Sequence, residues 1–336
     1  MIKKGRGMSA VMHPTGFKGG GDPDQATLRL KADGTIDLMV GAVDYGQGAK
    51  TVLQQFAAEA LDVPLENITV QNNSTDTMPF STDTAASRIT FIAGNAVIKA
   101  AEDFKRKIIE LASTMLDVPS NQLSVGGGRV YRTHNPEVYL EFSAIGTASS
   151  WGGGYVIGNG SYLHSPGQPI DPDTGAIEFS AAMAYAACVV DVEVDTETGI
   201  VDIKKIYGAY EMGTCVNPLL AEGQIEGGTM MGVGMAMTED LYPYYPRVDI
   251  EPDNFTDYII PTAMDTPELI NRIVEMPDKN GPYGAKGFGE MTSNPQPPAI
   301  INAIHDAIGV WIYDLPATPD KVLTALEGLG VGGKEK

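Results

Sequence analysis

Twice along this chain of 336 residues an alternating apolar hairpin runs through a glycine-rich loop into a helix. In the first instance, over 26–61, Thr27–Leu30 and Ile36–Val40 alternate in and out around Asp33-Gly34. Gly41 to Gly48 forms the loop, and the spacing predicts a helix from about Lys50 to Leu61, with Val52, Phe56 and Ala60 along one face. In the second, over 184–237, a strand from Ala184 to Val194 turns at Thr196-Glu197-Thr198-Gly199 into Val201–Ala209. A glycine loop from Gly208 to Asn217 then leads into a helix over Leu219–Met237. Hairpins feeding helices in this order build an α+β fold. We expect two α+β subdomains, about 1–175 and 176–330, with mixed sheets and Gly-rich loops lining a shared cleft.

A second echo lies within the first half. Leu61-Asp62-Val63-Pro64 leaves one helix for a strand ending at Val70. Leu116-Asp117-Val118-Pro119 does the same for a strand ending at Val125, after a long helix over about 91–115. Val97, Ala101, Phe104, Ile108, Leu111 and Met115 form the core stripe of that helix. The repetition implies two βα units side by side on one sheet. Residues 142–178, rich in Gly, Ser and Pro, read as loop, and about 243–282 as irregular with short strands. A capped helix over Thr318–Leu326 closes the chain.

A formal net charge of −20 argues against nucleic acid or an anionic membrane as partner. The two cysteines, Cys188 and Cys215, and the four histidines, His13, His134, His164 and His305, are scattered. Such spacing supplies neither the thiolates of an iron–sulfur cluster nor a zinc site. No run of signal-peptide or membrane-spanning character is present, so a cytoplasmic setting is expected.

Four segments could carry chemistry. Gly281 to Glu290 holds four glycines and ends on a lone acid, ahead of a helix expected over Ala299–Ile312 with Asn294 as its cap. Glu290 is either a general base on a closely approachable loop or a surface acid that favours the helix end. Gly46-Gln47-Gly48 superficially resembles the end of a phosphate-binding loop. Ala49 intervenes before Lys50, however, and the first glycine is misplaced. Such a loop holds an anion or the polar rim of a cofactor, or only starts a helix. Thr84-Ala85-Ala86-Ser87-Arg88 suits a closely approached, partly anionic ligand, or a simple helix cap. Gln224 is a polar residue in a Gly-rich helix start and says little alone.

Taken together, Gly46-Gln47-Gly48, Ala85-Ala86-Ser87-Arg88, Asn217-Pro218 with Gly223-Gln224 and Gly227, Gly284-Ala285-Lys286-Gly287-Phe288-Gly289-Glu290 and Ala317-Thr318-Pro319 fall in a familiar order. They resemble the C-terminal half of the molybdenum-binding subunit of the xanthine dehydrogenase/aldehyde oxidase family, over about residues 4–326. The resemblance implies a hydroxylase built on a molybdenum–molybdopterin cofactor, in its cytosine dinucleotide form, lying in the cleft between the subdomains. Glu290 matches the family's base, which takes a proton from the water-derived oxygen as it attacks an electron-poor carbon. Gly46, Gln47 and Gly48 match the loop that hugs the pterin. Ala85 and Ala86 match the stretch against the metal, with Ser87 and Arg88 towards the pterin and Gln224 as a polar contact; no residue matches a metal ligand. The chain departs from some members at Ser87-Arg88-Ile89, where they carry further serines.

Family subunits are more than twice as long, so the chain is expected to be a fragment or one product of a split subunit. It is similar to the medium molybdopterin subunit of bacterial nicotinate dehydrogenases. The implied partners are a larger molybdopterin-binding subunit, an iron–sulfur subunit carrying 2Fe–2S clusters and a FAD subunit. The implied substrate is a small nicotinate-like N-heterocycle, with purine or aldehyde oxidation as alternatives, and a noncatalytic scaffold role as the alternative class.

Overall fold

A computed structural model of the chain describes residues 1–17, 21–152, 154–164, 171–175, 182–240 and 254–332. The chain opens with β1 (Ile2–Thr15), β2 (Asp22–Leu30), β3 (Ile36–Val40), α1 (Ala49–Leu61) and β4 (Ile68–Gln71). A π turn over Ile89–Ala93 leads into α2 (Gly94–Leu116). Next come β5 (Leu123–Gly126), β6 (Arg129–Arg132), β7 (Asn135–Glu141), α3 (Phe142–Trp151) and β8 (Ile157–His164). The remainder holds β9 (Ala182–Asp195), β10 (Val201–Glu211), α4 (Pro218–Met237), β11 (Glu268–Val274), α5 (Gln296–Ile308) and α6 (Pro319–Gly332). The fold is α+β with mixed sheets. Two compact units divide the chain: Pro14–Met183 with Pro277–Gly287, and Met1–His13 with Ala184–Met276 and Phe288–Lys336. No helix among the described residues is long and apolar enough to cross a membrane.

The first unit is built on a sheet ordered β4-β3-β2-β8. The hairpin expected around Asp33-Gly34 is present, with Leu28 opposite Leu38 and Arg29 opposite Asp37. β4 joins β3 in parallel after α1, which makes one βα unit. Leu28, Ile36, Leu38, Leu53, Phe56, Phe91 and Phe104 are all buried here. The second copy of the Asp-Val-Pro echo does not extend this sheet. β5 instead belongs to a separate antiparallel sheet, β5-β6-β7, because Gly127 and Gly128 turn the chain straight back and pair Val125 with Val130. What the echo encodes is a helix end: Asp62 and Asp117 are both left-handed C-caps, at φ 52° and 54°. The span 142–178 is also less irregular than its composition suggests, since it contains α3 and β8. Gly158 and Gly160 mark close packing rather than a loop. A Cβ at either would lie 2.3 Å from Ala100 O or 2.1 Å from Ala96 O of α2. Residues 153, 165–170 and 176–178 of that span lie outside the described residues, as does 243–253 of the stretch read as irregular.

The second unit carries a sheet ordered β1-β9-β10-β11, with β9 and β10 antiparallel and β11 parallel to β10. Its core gathers Val190, Val192, Val194 and Ile206 with Val233 and Ala236 of α4, Ile300 and Ile304 of α5 and Val322 of α6. β1 lies directly on α5. A Cβ at Gly5 would sit 2.1 Å from Ala303 O, and one at Gly7 2.2 Å from Ala299 O, so only glycine lets this strand touch the helix backbone.

Candidate functional site

In the second unit Glu290 opens a short 3₁₀ turn, Glu290–Thr292, just before α5. The helix begins at Gln296 rather than 299 and ends at Ile308, where Gly309 adopts φ 76°. Asn294 is not its cap: Pro295 holds that position, with Pro297 and Pro298 in the first turn. Thr292 Oγ1 donates to Gly289 O at 2.6 Å and ties the turn. Behind it a buried polar trio fixes the start of α5: Gln296 Nε2 donates to Tyr210 OH at 2.9 Å and to Thr229 Oγ1 at 3.2 Å. The Glu290 side chain is half exposed, and its Oε2 lies 3.6 Å from His13 Nε2. His13 lies on the face of β1 on which Ser9 Oγ donates to Pro295 O and Val11 packs, as Phe288 does, against the cluster that contains Met291. Sequence reasoning missed His13. The only trace of its role is the alternation Gly5, Gly7, Ser9, Val11, His13 on one strand face.

Gln224 lies on α4, whose N-terminus is capped by Asn217 Oδ1 accepting from Leu220 N at 3.1 Å. Ala221 and Ile225 beside it are buried, while Gln224 is half-buried.

In the first unit the structure joins the two loops that sequence reasoning named separately. Val43 N donates to Thr84 Oγ1 at 2.9 Å, and Tyr45 OH donates to Thr84 O at 3.1 Å. Gly46 adopts φ +117°, and a Cβ there would meet nothing within 4 Å. Gln47 spends its amide within its own loop, accepting from Tyr45 N and donating to Val43 O, both at 2.9 Å. Gly48 starts α1, but the anion position at that helix end is already filled. Asp44 accepts from Gly46 N, Gly48 N and Lys50 N. Partial burial pushes the Asp44 carboxyl up, and these backbone N–H bonds outweigh it and hold it below the usual range. The loop therefore suits a polar edge rather than a phosphate.

Ala86 and Ser87 are consecutive left-handed residues, at φ 54° and 50°, a conformation that costs energy for any residue with a Cβ. Three contacts hold them. Gly16 N donates to Ala86 O at 2.9 Å. Gly287 passes so close that a Cβ there would lie 1.5 Å from Ser87 O. Arg88 anchors the turn from below. Its side chain is fully buried. Arg88 Nε donates to Asp22 at 2.6 Å, and Nη1 to Asp24 at 2.9 Å and to Asp83 O at 2.7 Å. Nη2 donates to Pro23 O at 2.9 Å. Burial pushes the Asp24 carboxyl up, against the pull of the Arg88 guanidinium. Lys286 is likewise buried and donates to Met183 O at 2.9 Å.

Residues 1–267 match the family model of the molybdopterin cofactor-binding domain. The chain is 35% identical over 326 residues to a probable hypoxanthine oxidase of Escherichia coli, covering 96% of this chain and 32% of the relative. It is 31% identical over 316 residues to the nicotine 6-hydroxylase large subunit of Paenarthrobacter nicotinovorans, covering 91% and 37%. The fold superposes on quinoline 2-oxidoreductase from Pseudomonas putida 86 with a TM-score of 0.82 at 25% identity, over 97% of this chain and 42% of that one. The chain thus spans about a third of the length of the curated relatives it matches.

Proposed function

From its membership of the molybdopterin cofactor-binding domains of the xanthine dehydrogenase family of molybdenum hydroxylases, we propose that this chain forms the catalytic, C-terminal half of a molybdenum-binding subunit. The proposed activity is hydroxylation of an electron-poor carbon of a nicotinate-like N-heterocycle, with water as the oxygen source. Its main support is Glu290, a half-exposed carboxylate held on a tied turn. The nicotine 6-hydroxylase relative favours the N-heterocycle. The hypoxanthine oxidase relative favours a purine as the second reading.

The residues present fit a pterin cofactor. The backbone at Gly46 opens onto space that a side chain would fill, and Ala85, Ala86 and Ser87 present nothing larger than a methyl or hydroxymethyl group. Gly46, Gln47 and Gly48 would hold the pterin edge, Ala85, Ala86 and Ser87 would lie against the cofactor, and Gln224 would add a polar contact. When bound, the cofactor supplies the two-electron acceptor and the Lewis acidity of the reaction. Glu290 acts as general base. A carboxylate oxygen takes the proton of the oxygen nucleophile as it adds to the substrate carbon, a role usually worth about 10²–10⁴ in rate. Arg88 would lie on the pterin side of the same loop, and its bonds to Asp22 and Asp24 keep the Ala86-Ser87 turn in its strained shape. We assign the cytosine dinucleotide form of the cofactor, 2Fe–2S and FAD on partner subunits, a larger molybdopterin-binding partner and a cytoplasmic location to the same reading.

The test is single-turnover reduction of the molybdenum-loaded complex by nicotinate, hypoxanthine and an aldehyde, in wild type and Glu290→Gln, with metal content measured in each. Nicotinate is expected to reduce the wild type fastest, and Glu290→Gln to be slower by at least about 10²-fold with full metal. Faster reduction by hypoxanthine selects the purine reading. A variant that matches the wild type makes Glu290 a structural acid.

A further inference from the structure

We propose that His13 positions the Glu290 carboxylate and takes up the proton which that carboxylate accepts. This adds a residue to the proposed reaction and rests on the reading of Glu290 as its base. The argument begins with β1. Residues 5, 7, 9, 11 and 13 share one face of the strand, since side chains alternate with a period of two. Down that face Gly5 and Gly7 lie on the backbone of α5, and Ser9 bonds Pro295 O just before it. Val11 joins the cluster that contains Phe288 and Met291, and His13 meets Glu290. The strand therefore follows α5 back towards its N-terminus and arrives at the acid. At the next position on this face stands an imidazole, 3.6 Å from a carboxylate.

The exposures are ordered for a relay. The His13 side chain is 20% exposed and that of Glu290 49%, so the carboxylate stands outermost with the imidazole behind it. At 3.6 Å the two atoms are close neighbours rather than a formed hydrogen bond, and catalytic hydrogen bonds are often long before a ligand binds. An imidazole is ordinarily more basic than a carboxylate, so a proton passes from a carboxylic acid to a neutral imidazole downhill. The O–H bond of protonated Glu290 breaks, an N–H bond forms at His13 Nε2, and the carboxylate is regenerated. No electrons move. The imidazolium then returns the proton to water. His13 thereby resets the base, besides fixing which carboxylate oxygen faces away from it.

The experiment uses the assembled, molybdenum-loaded complex. Histidine C2 hydrogen–deuterium exchange, read by mass spectrometry across pH, gives a midpoint for each of the four histidines. In Glu290→Gln the His13 midpoint is expected to shift from its wild-type position, because the side chain it faces has changed. His134, His164 and His305 serve as controls for intact folding. An unchanged His13 midpoint overturns the proposal. Single-turnover reduction by nicotinate, or by hypoxanthine where the purine is faster, is then measured in His13→Gln, which keeps a hydrogen-bonding group but takes no proton. The expected result is a rate about tenfold lower at full metal, with little change in KM and a flattened pH profile. A wild-type rate in His13→Gln beside a slow Glu290→Gln overturns this proposal alone. A wild-type rate in Glu290→Gln removes the base itself, and the proposal with it.

Discussion

Two glycines in the first unit look alike in sequence and ask for opposite experiments. Gly46 has a positive φ and an empty surround, so Gly46→Val strains the backbone by about 1–2 kcal/mol without a clash. The expected outcome is a folded chain that no longer retains molybdenum cofactor, read as metal per protein beside an unchanged far-UV spectrum. Gly287 is closed by Ser87 O, so even Gly287→Ala forces two backbone segments apart. A loss of roughly 2–4 kcal/mol is expected in denaturant melts, with cofactor lost only as a consequence. Both glycines were legible as places where backbone must come near something, though not near what. Arg88 was legible as a charge and illegible as a buried one, because its acids Asp22 and Asp24 lie 66 and 64 residues earlier. His13 stands even farther from the residue it faces, and the alternation along β1 gives its strand face but not its partner.

At the scale of elements, α2 is stapled to β8 by Asp103, which accepts from Lys107 at 2.7 Å, from Arg106 at 2.6 Å and from the amide of Asn159 at 2.9 Å. Burial pushes this carboxyl up, but Lys107, Asn159 and Arg106 together outweigh it and bring it down to about 2. A carboxyl depressed on folding adds stability above its unfolded value, near pH 4, and that stability fades as pH falls towards 2. Wild type should therefore lose about 1 kcal/mol more between pH 4 and pH 2 than Asp103→Asn, discounted for solvent screening. Thermal melts of both proteins across that interval measure the difference. Hairpins and amphipathic helices were readable because their pattern is local. Sheet membership was not: the residues that send β5 to its own sheet are Gly127-Gly128, which follow the strand, and nothing in the Asp-Val-Pro echo carries that information. β8 was hidden by glycines placed for close packing against α2, a use that composition does not separate from a loop.

For the molecule as a whole, α4 leaves Leu219, Met231 and Met235 exposed by 78%, 65% and 53%. Apolar side chains of this size on one helix are a liability for a lone chain. Expressed singly, the protein is expected to aggregate or to carry no molybdenum, and co-expression with a larger molybdopterin-binding partner should restore both. Size-exclusion chromatography with metal analysis decides, and a stable monomer with stoichiometric molybdenum refutes the assembly. The seat of β1 on α5 has a further consequence, in time rather than in space. Ser9 and Pro295 are 286 residues apart, so at about 5–20 residues per second the ribosome delivers the helix roughly 15–60 s after the strand. Through that interval the first strand waits without its cover, and the acid at position 290 has not yet been made. The surroundings of the Glu290 carboxylate are thus completed only when α5 emerges, and termination upstream of that helix leaves β1 without the backbone it packs on.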